Sequence, residues 1–108
     1  MKNFQDTLIE QLTDPAVASA YLNEHAQFKG PKATELLLNA IRNVLRAQGI
    51  DKVAKEAKVS RRTLYHAVSK KGNPSVDLFF KILGQLEVDV QFVSRKTPKG
   101  KRTTKKAA

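Results

Sequence analysis

Residues 50–69 carry the pattern that most constrains how this chain can fold. They read IDKVAKEAKVSRRTLYHAVS, with two short apolar stripes separated by a break at Lys58-Val59. The first stripe contains Val53, Ala54 and Ala57, and the second contains Leu64, Ala67 and Val68. Steps of three and four residues place each stripe on one helix face, so the segment predicts two short helices packed on a core.

The residues at the junction favour a tight connection between these helices. Ser60 is a good N-cap for the second helix, because its hydroxyl can accept from a free backbone N–H in the next turn. The small Ala54 allows the helices to cross closely, and Val59 can fill the turn between them. This arrangement predicts a helix-turn-helix, whose second helix lies in the DNA major groove. A plain helical hairpin has the same apolar spacing and remains the alternative.

Length and composition narrow the class of protein. With 108 residues the chain forms one domain at most, and without cysteine it has neither a disulfide framework nor a thiolate metal site. It contains no run of about 18 apolar residues, so we expect no membrane span. The first residues, MKNFQDTLIEQL, contain acids and lack the long apolar block of a secretory signal. A cytoplasmic location is therefore expected.

The charge favours a polyanionic partner but is unevenly distributed. The net charge is +10, and residues 94–108 hold seven basic side chains and no acid. Residues 1–93 therefore carry a net charge of only +3. We expect the tail to be a disordered basic arm that can bind phosphates without sequence preference.

Capping residues and apolar spacing divide residues 14–93 into five helices. Residues 1–13 form a weakly amphipathic lead, and Asp14-Pro15 is a typical helix start. The next helix, PKATELLLNAIRNVLRAQ, ends at Gly49, and Ser75 caps the last helix. The fold class is therefore an all-α, five-helix domain, preceded by the lead (1–13) and followed by the basic tail (94–108).

A short β-strand is expected after the last helix. Val88, Val90 and Phe92 alternate with other residues at the period of a strand. A single strand cannot satisfy its own backbone groups, so it would pair with a second copy or with a different protein. We therefore expect a homodimer with these three residues in the contact. The alternative is an extended segment that lies on the core.

Three side chains of the second short helix are candidates for reading DNA bases. Arg61 and Arg62 follow the Ser60 cap, at the helix end that points into the groove. An arginine fork matches the two acceptors of guanine. His66 lies one turn beyond Arg62 on the same side. In the alternative interpretation the two arginines form an exposed helix end that contacts phosphates alone, and His66 is an ordinary exposed histidine.

A second set of residues is expected to contact phosphates. Such contacts position a protein on DNA and carry no sequence information. Most members lie on the second helix or in the KKGNP loop after it. The set consists of Ser60, Thr63, Tyr65, Lys70, Lys71, Asn73 and Lys55. Lys52 is a further possibility on the first helix.

No pattern in the chain indicates an enzyme. His25 lacks another His or Cys at ligand spacing, so we expect neither a metal site nor a cofactor. The carboxylates are scattered, and no glycine-rich phosphate loop occurs.

The stretch AKEAKVSRRTLYHAVSKKGNPSVDLFFKILGQLEVDV resembles a known family. The run V-S-R-x-x-L-Y-x-A-x-S followed by G-N-P-S is similar to the small helix-turn-helix antidote proteins of bacterial addiction modules, which belong to the lambda-repressor-like class. DPAVASAYLNEHAQ resembles the front of those proteins. The chain departs from the family at Lys58, where such turns often have glycine, and in its basic tail. A lysine in a left-handed turn would be strained, so a slightly different turn is expected.

The resemblance implies an antitoxin that binds double-stranded operator DNA, represses its own operon and neutralises an RNA-cleaving toxin of the RelE-like class. The residues themselves leave two other functions open. One is a stand-alone transcription regulator with no toxin partner. The other is a protein-interaction module that has lost DNA binding, against which the arginines and loop lysines argue.

Overall fold

The computed structural model describes residues 3–96, which fold into six α-helices. Their bounds are α1 (Phe4–Gln11), α2 (Pro15–Ala26), α3 (Ala33–Gln48), α4 (Ile50–Ala57), α5 (Arg61–Ala67) and α6 (Val76–Gln85). The longest helix, α3, packs against α1, α2 and α4, and α4 also packs against α5 and α6. The all-α expectation is confirmed, and α3 and α4 are the two helices around which the others assemble.

The core residues of α4 and α5 are those that the two apolar stripes indicated. Val53, Ala54 and Ala57 are buried on α4, and Leu64, Ala67 and Val68 are buried on α5 or at its cap. On α3, the fully buried Val44 and Leu45 lie at the centre of the same cluster. Both short helices are therefore held by burial of one face, because helices of this length are marginal in isolation.

The first thirteen residues correct the expected helix count. They contain α1, whose N-cap Asn3 accepts a hydrogen bond from the backbone N–H of Asp6 at 2.8 Å. Leu12 is fully buried, and Leu8 packs against the core. The predicted number of helices was therefore too low by one. The weakly amphipathic segment forms a helix because packing on α3 stabilises it.

A buried polar residue joins the first three helices. The side chain of Asn43 on α3 donates to the Tyr21 hydroxyl of α2 at 2.9 Å and accepts from Gln5 of α1 at 3.2 Å. Asn43 is the sole buried polar residue in the described part of the chain. Leaving a buried amide unpaired costs about 1–3 kcal/mol, so these two bonds favour one arrangement of α1 and α2 on α3.

The expected C-terminal strand is wrong, since no strand occurs within residues 3–96. The chain reverses at Glu87, which has a left-handed φ of 60°, and the Val88 N–H donates to the Leu83 carbonyl at 3.0 Å. Val88 then packs against the core, whereas Val90 is 43% and Phe92 is 91% exposed. Within residues 3–96 no other segment pairs with it, so the alternation of Val88, Val90 and Phe92 does not correspond to a strand.

The segment from Val88 to Val93 forms one side of a groove. The groove also has walls from α2, α3 and α6, and its volume is about 600 Å³. We call it the α2–α6 groove. Of the three alternating residues of this segment, Val88 alone packs against the core. Residues 97–108, which make up most of the basic tail, lie outside the described residues. The prediction that the tail is disordered concerns those residues.

None of the helices described is long and apolar enough to cross a membrane.

The turn between α4 and α5 keeps a left-handed conformation although it contains lysine. Lys58 has φ 60° and ψ 42°. The Val59 N–H donates to the Ala54 carbonyl at 3.0 Å, and the Lys58 N–H donates to the Lys55 carbonyl at 3.1 Å. This bonding closes the end of α4 as a Schellman motif, which requires a left-handed residue at this position. The expectation of a different turn is therefore wrong, and Lys58 bears the backbone strain.

The second loop of this region depends on a glycine. A Cβ placed on Gly72 would lie 2.1 Å from the carbonyl oxygen of Ala67 and 2.6 Å from that of His66. Since both atoms belong to the backbone at the end of α5, no side chain fits at Gly72. The loop after α5 therefore lies directly against the end of that helix.

We predict that Lys58→Gly raises the free energy of unfolding by about 0.5–1 kcal/mol. Glycine removes a left-handed penalty of about 1–2 kcal/mol and adds a smaller entropic cost of about 0.5–1 kcal/mol. Urea denaturation of Lys58→Ala gives the matched control, because alanine removes the charged side chain and keeps the strain. A glycine variant no more stable than the alanine variant would contradict the assignment of strain.

Candidate nucleic-acid interface

The start of α5 is fixed by its own capping residues. The Ser60 hydroxyl accepts from the Thr63 N–H at 3.0 Å and donates to the Thr63 hydroxyl at 2.8 Å. Ser60 is thus the N-cap that the sequence predicted. Its hydroxyl proton is already engaged, whereas the exposed Thr63 hydroxyl can still donate to a ligand.

The end of α5 is fixed from α3 by an arginine that the sequence interpretation missed. Arg42 donates through Nη1 to the carbonyl of Val68, the C-cap of α5, at 2.6 Å. Its Nη2 donates to Asn39 Oδ1, also at 2.6 Å. A charged donor forms a strong bond to the free carbonyls at a helix end. Arg42 therefore helps to set how α5 sits on the domain.

The two adjacent arginines of α5 have different surroundings. Arg61 Nε lies 3.6 Å from Asp51 Oδ1 of α4, and its guanidinium lies 5.7 Å from the ring centroid of Tyr65. Both charged groups are largely exposed, so this ion pair contributes little to stability. It nonetheless holds Arg61 along the side of α5.

Arg62 and His66 lie one turn apart on the exposed surface of α5. Within residues 3–96, neither side chain forms an ion pair or a hydrogen bond with another residue. Side chains at i and i+4 share one helix face. The structure therefore brings two of the three predicted base-reading residues together on an unoccupied face and places Arg61 beside them.

The predicted phosphate contacts are distributed around the same helix. Lys71 and Asn73 are exposed in the loop after α5, and Lys55 is exposed on α4. Lys70 lies 3.9 Å from Glu35 of α3, and the half-buried Tyr65 packs against the core. The two loop lysines therefore differ in their charged surroundings, since Lys70 has an acidic neighbour.

The net positive charge of the described chain lies in this region. Residues 50–74, which we call the α4–α5 unit, contain seven basic and two acidic side chains. The rest of residues 3–96 contains seven basic and eight acidic side chains. The mild net charge of the folded part thus conceals a strongly basic unit on a slightly acidic body.

His25 occupies a structural position in α2. Its Nδ1 lies 2.8 Å from the Tyr21 carbonyl oxygen, and its ring stacks at a tilt on the Tyr21 ring, with centroids 4.3 Å apart. Phe28 contacts the other side of the imidazole edge to face. Among the residues described, no group of three His, Cys, Asp or Glu side chains could hold a metal ion.

Comparison with known proteins identifies relatives for nearly the whole chain. The family model described as "Probable addiction module antidote protein" matches residues 1–94. The chain is also 33% identical over 91 residues to an uncharacterized protein of Haemophilus influenzae strain Rd, across 84% of this chain and 89% of the relative. No solved structure is significantly similar to it. The family match includes all six helices and the basic α4–α5 unit, and the chain therefore belongs to the family of addiction module antidote proteins.

Proposed function

We propose that this protein is an antitoxin that binds the operator of its own operon and neutralises a RelE-like, RNA-cleaving toxin. The observation that carries the DNA-binding part is the net positive charge of the α4–α5 unit, around a helix whose Arg62 and His66 face solvent. The family match supports the antidote part. The protein acts in the cytoplasm and by binding alone, without an enzymatic activity.

In this proposal the α4–α5 unit is a helix-turn-helix of the lambda-repressor-like class. The helix α5 enters the major groove, where the Arg62 fork donates to the O6 and N7 acceptors of a guanine and His66 contacts the next bases. Lys71 and Asn73 contact the phosphate backbone beside the groove. Arg61 moves from Asp51 to a base or a phosphate, at little cost because the ion pair is exposed.

The proposal includes a homodimer on two operator half-sites. One short recognition helix offers few base contacts, and proteins of this type reach specific affinity by placing two such helices one turn of DNA apart. The dimer's contact does not involve a C-terminal strand. The stand-alone regulator uses the same interface, but the family match favours an antidote.

The antidote role has a direct test. The protein encoded by the gene adjacent to this one should arrest growth when it is expressed alone, and co-expression of this chain should restore growth. A complex of the two should co-purify, because a neutralised toxin is a bound one. Growth arrest that this chain does not relieve would contradict the antidote assignment for that pair.

For base reading, Arg62→Lys is the informative substitution. Lysine keeps the charge and loses the planar fork, so binding to the protein's own promoter fragment should weaken by about 1–3 kcal/mol per subunit. Binding to random DNA of equal length should stay nearly constant. Titration of both duplexes at several salt concentrations measures this difference. An equal loss on both duplexes would mean that Arg62 contacts phosphate alone.

For phosphate contact, we predict that Lys71→Ala weakens binding to promoter and random DNA alike. Loss of one phosphate contact should lower the slope of log K against log salt by about 1. Lys81→Ala is the matched control, because Lys81 lies on α6 outside the α4–α5 unit and pairs with Asp77 at 3.1 Å. The control variant should keep both the affinity and the slope of the unmodified protein.

A further inference from the structure

The α2–α6 groove has a lining of mixed polar and apolar side chains that the DNA-binding proposal does not use. Its apolar lining comes from three helices and the C-terminal segment. It includes Leu22, Leu37, Ile41, Phe79, Leu83 and Val88. Leu37, Phe79 and Val88 are only partly buried, and Val90 and Val93 leave apolar surface exposed at the rim. A volume of about 600 Å³ lies within the range of binding clefts, about 300–1,000 Å³.

The charge around the groove indicates what kind of partner it suits. Its lining contains no lysine or arginine and one acid, Asp89. The body outside the α4–α5 unit is slightly acidic over residues 3–96. A groove that combines apolar side chains with one acid and no cation complements a protein that combines an apolar anchor with basic side chains. Nucleic acid is excluded as its occupant, since phosphates would face Asp89 without a cation.

The groove is also separate from the DNA-binding unit. None of its lining residues belongs to residues 50–74. The two surfaces therefore use different side chains, and a protein in the groove would leave Arg62, His66 and Lys71 accessible. An antidote that also represses its operon needs this separation if one molecule is to bind toxin and DNA together.

We infer that the α2–α6 groove is the toxin-docking surface, and that the toxin inserts an apolar segment flanked by basic side chains. This inference rests on the proposed antidote function. An enzyme that cleaves RNA must bind a polyanion and therefore carries a basic surface. That surface matches Asp89 and the acidic body, while the exposed Val90 and Val93 at the rim provide apolar contact with the inserted segment.

The test uses two alanines of α2 that receive the same substitution. Ala26 lines the groove, whereas Ala20 is equally exposed on the same helix and does not. The full-length variants are titrated with the purified product of the gene adjacent to this one. Ala26→Trp, which fills the groove, should weaken binding at least about tenfold, and Ala20→Trp should change it less than about twofold. Melting temperature and binding to the promoter fragment should stay unchanged in both variants.

A second variant tests the charge without altering the apolar wall. Asp89 is exposed, so Asp89→Lys should leave the fold intact and slow association with the adjacent gene product about threefold to tenfold at low salt. Glu24→Lys is the control, because Glu24 is exposed on α2 and does not line the groove.

The outcomes distinguish a failure of the groove assignment from a failure of the proposed antidote function. If the unmodified chain binds the adjacent gene product and Ala26→Trp binds equally well, the groove assignment is wrong and the pairing stands. Equal losses in Ala26→Trp and Ala20→Trp would also overturn it, since a site at the groove cannot respond to both. If the unmodified chain does not bind the product at all, the proposed antidote pairing fails, and the occupant named for the groove fails with it.

Discussion

The left-handed turn at Lys58 is the constraint on which the rest of the candidate interface depends. It ends α4 and sets the direction in which α5 leaves the domain, because the two bonds that close the turn require that conformation. The strain of about 1–2 kcal/mol is small beside a typical stability of about 5–15 kcal/mol. Burial of Val53, Leu64 and Val68 on either side of the turn more than offsets it.

The helix α5 is then held at both ends by contacts of different kinds. Ser60 and the turn fix its start, while Arg42 and the close approach of Gly72 fix its end. A helix of seven residues has little stability of its own, so its orientation is set by the body on which it packs. This arrangement presents Arg62 and His66 on a rigid element, and a fixed geometry is what reading base edges requires.

The parts of the structure that the sequence predicted are those encoded by neighbouring residues. Ser60, Ser75 and Asp14 all cap helices as expected, because a cap bonds to a backbone N–H only two or three residues away. The errors arose where distant contacts decide. Packing on α3 turns residues 4–11 into a helix, and the segment after Glu87 has no partner segment within residues 3–96 with which to form a strand. Arg42 bonds to a carbonyl 26 residues away, which no local pattern can indicate.

The partition of charge follows from the same architecture. Because α4 and α5 contribute their apolar faces to the core, their remaining faces hold four basic side chains, and the adjoining turn and loop bring the total to seven within 25 residues. That density would attract any polyanion, including RNA, if it extended over the whole surface. In the rest of residues 3–96 eight acids face seven bases, so the excess positive charge of the described chain lies in the α4–α5 unit. The α2–α6 groove lies outside the basic unit, so under the proposals made above a basic protein and a nucleic acid would meet different surfaces of one small domain.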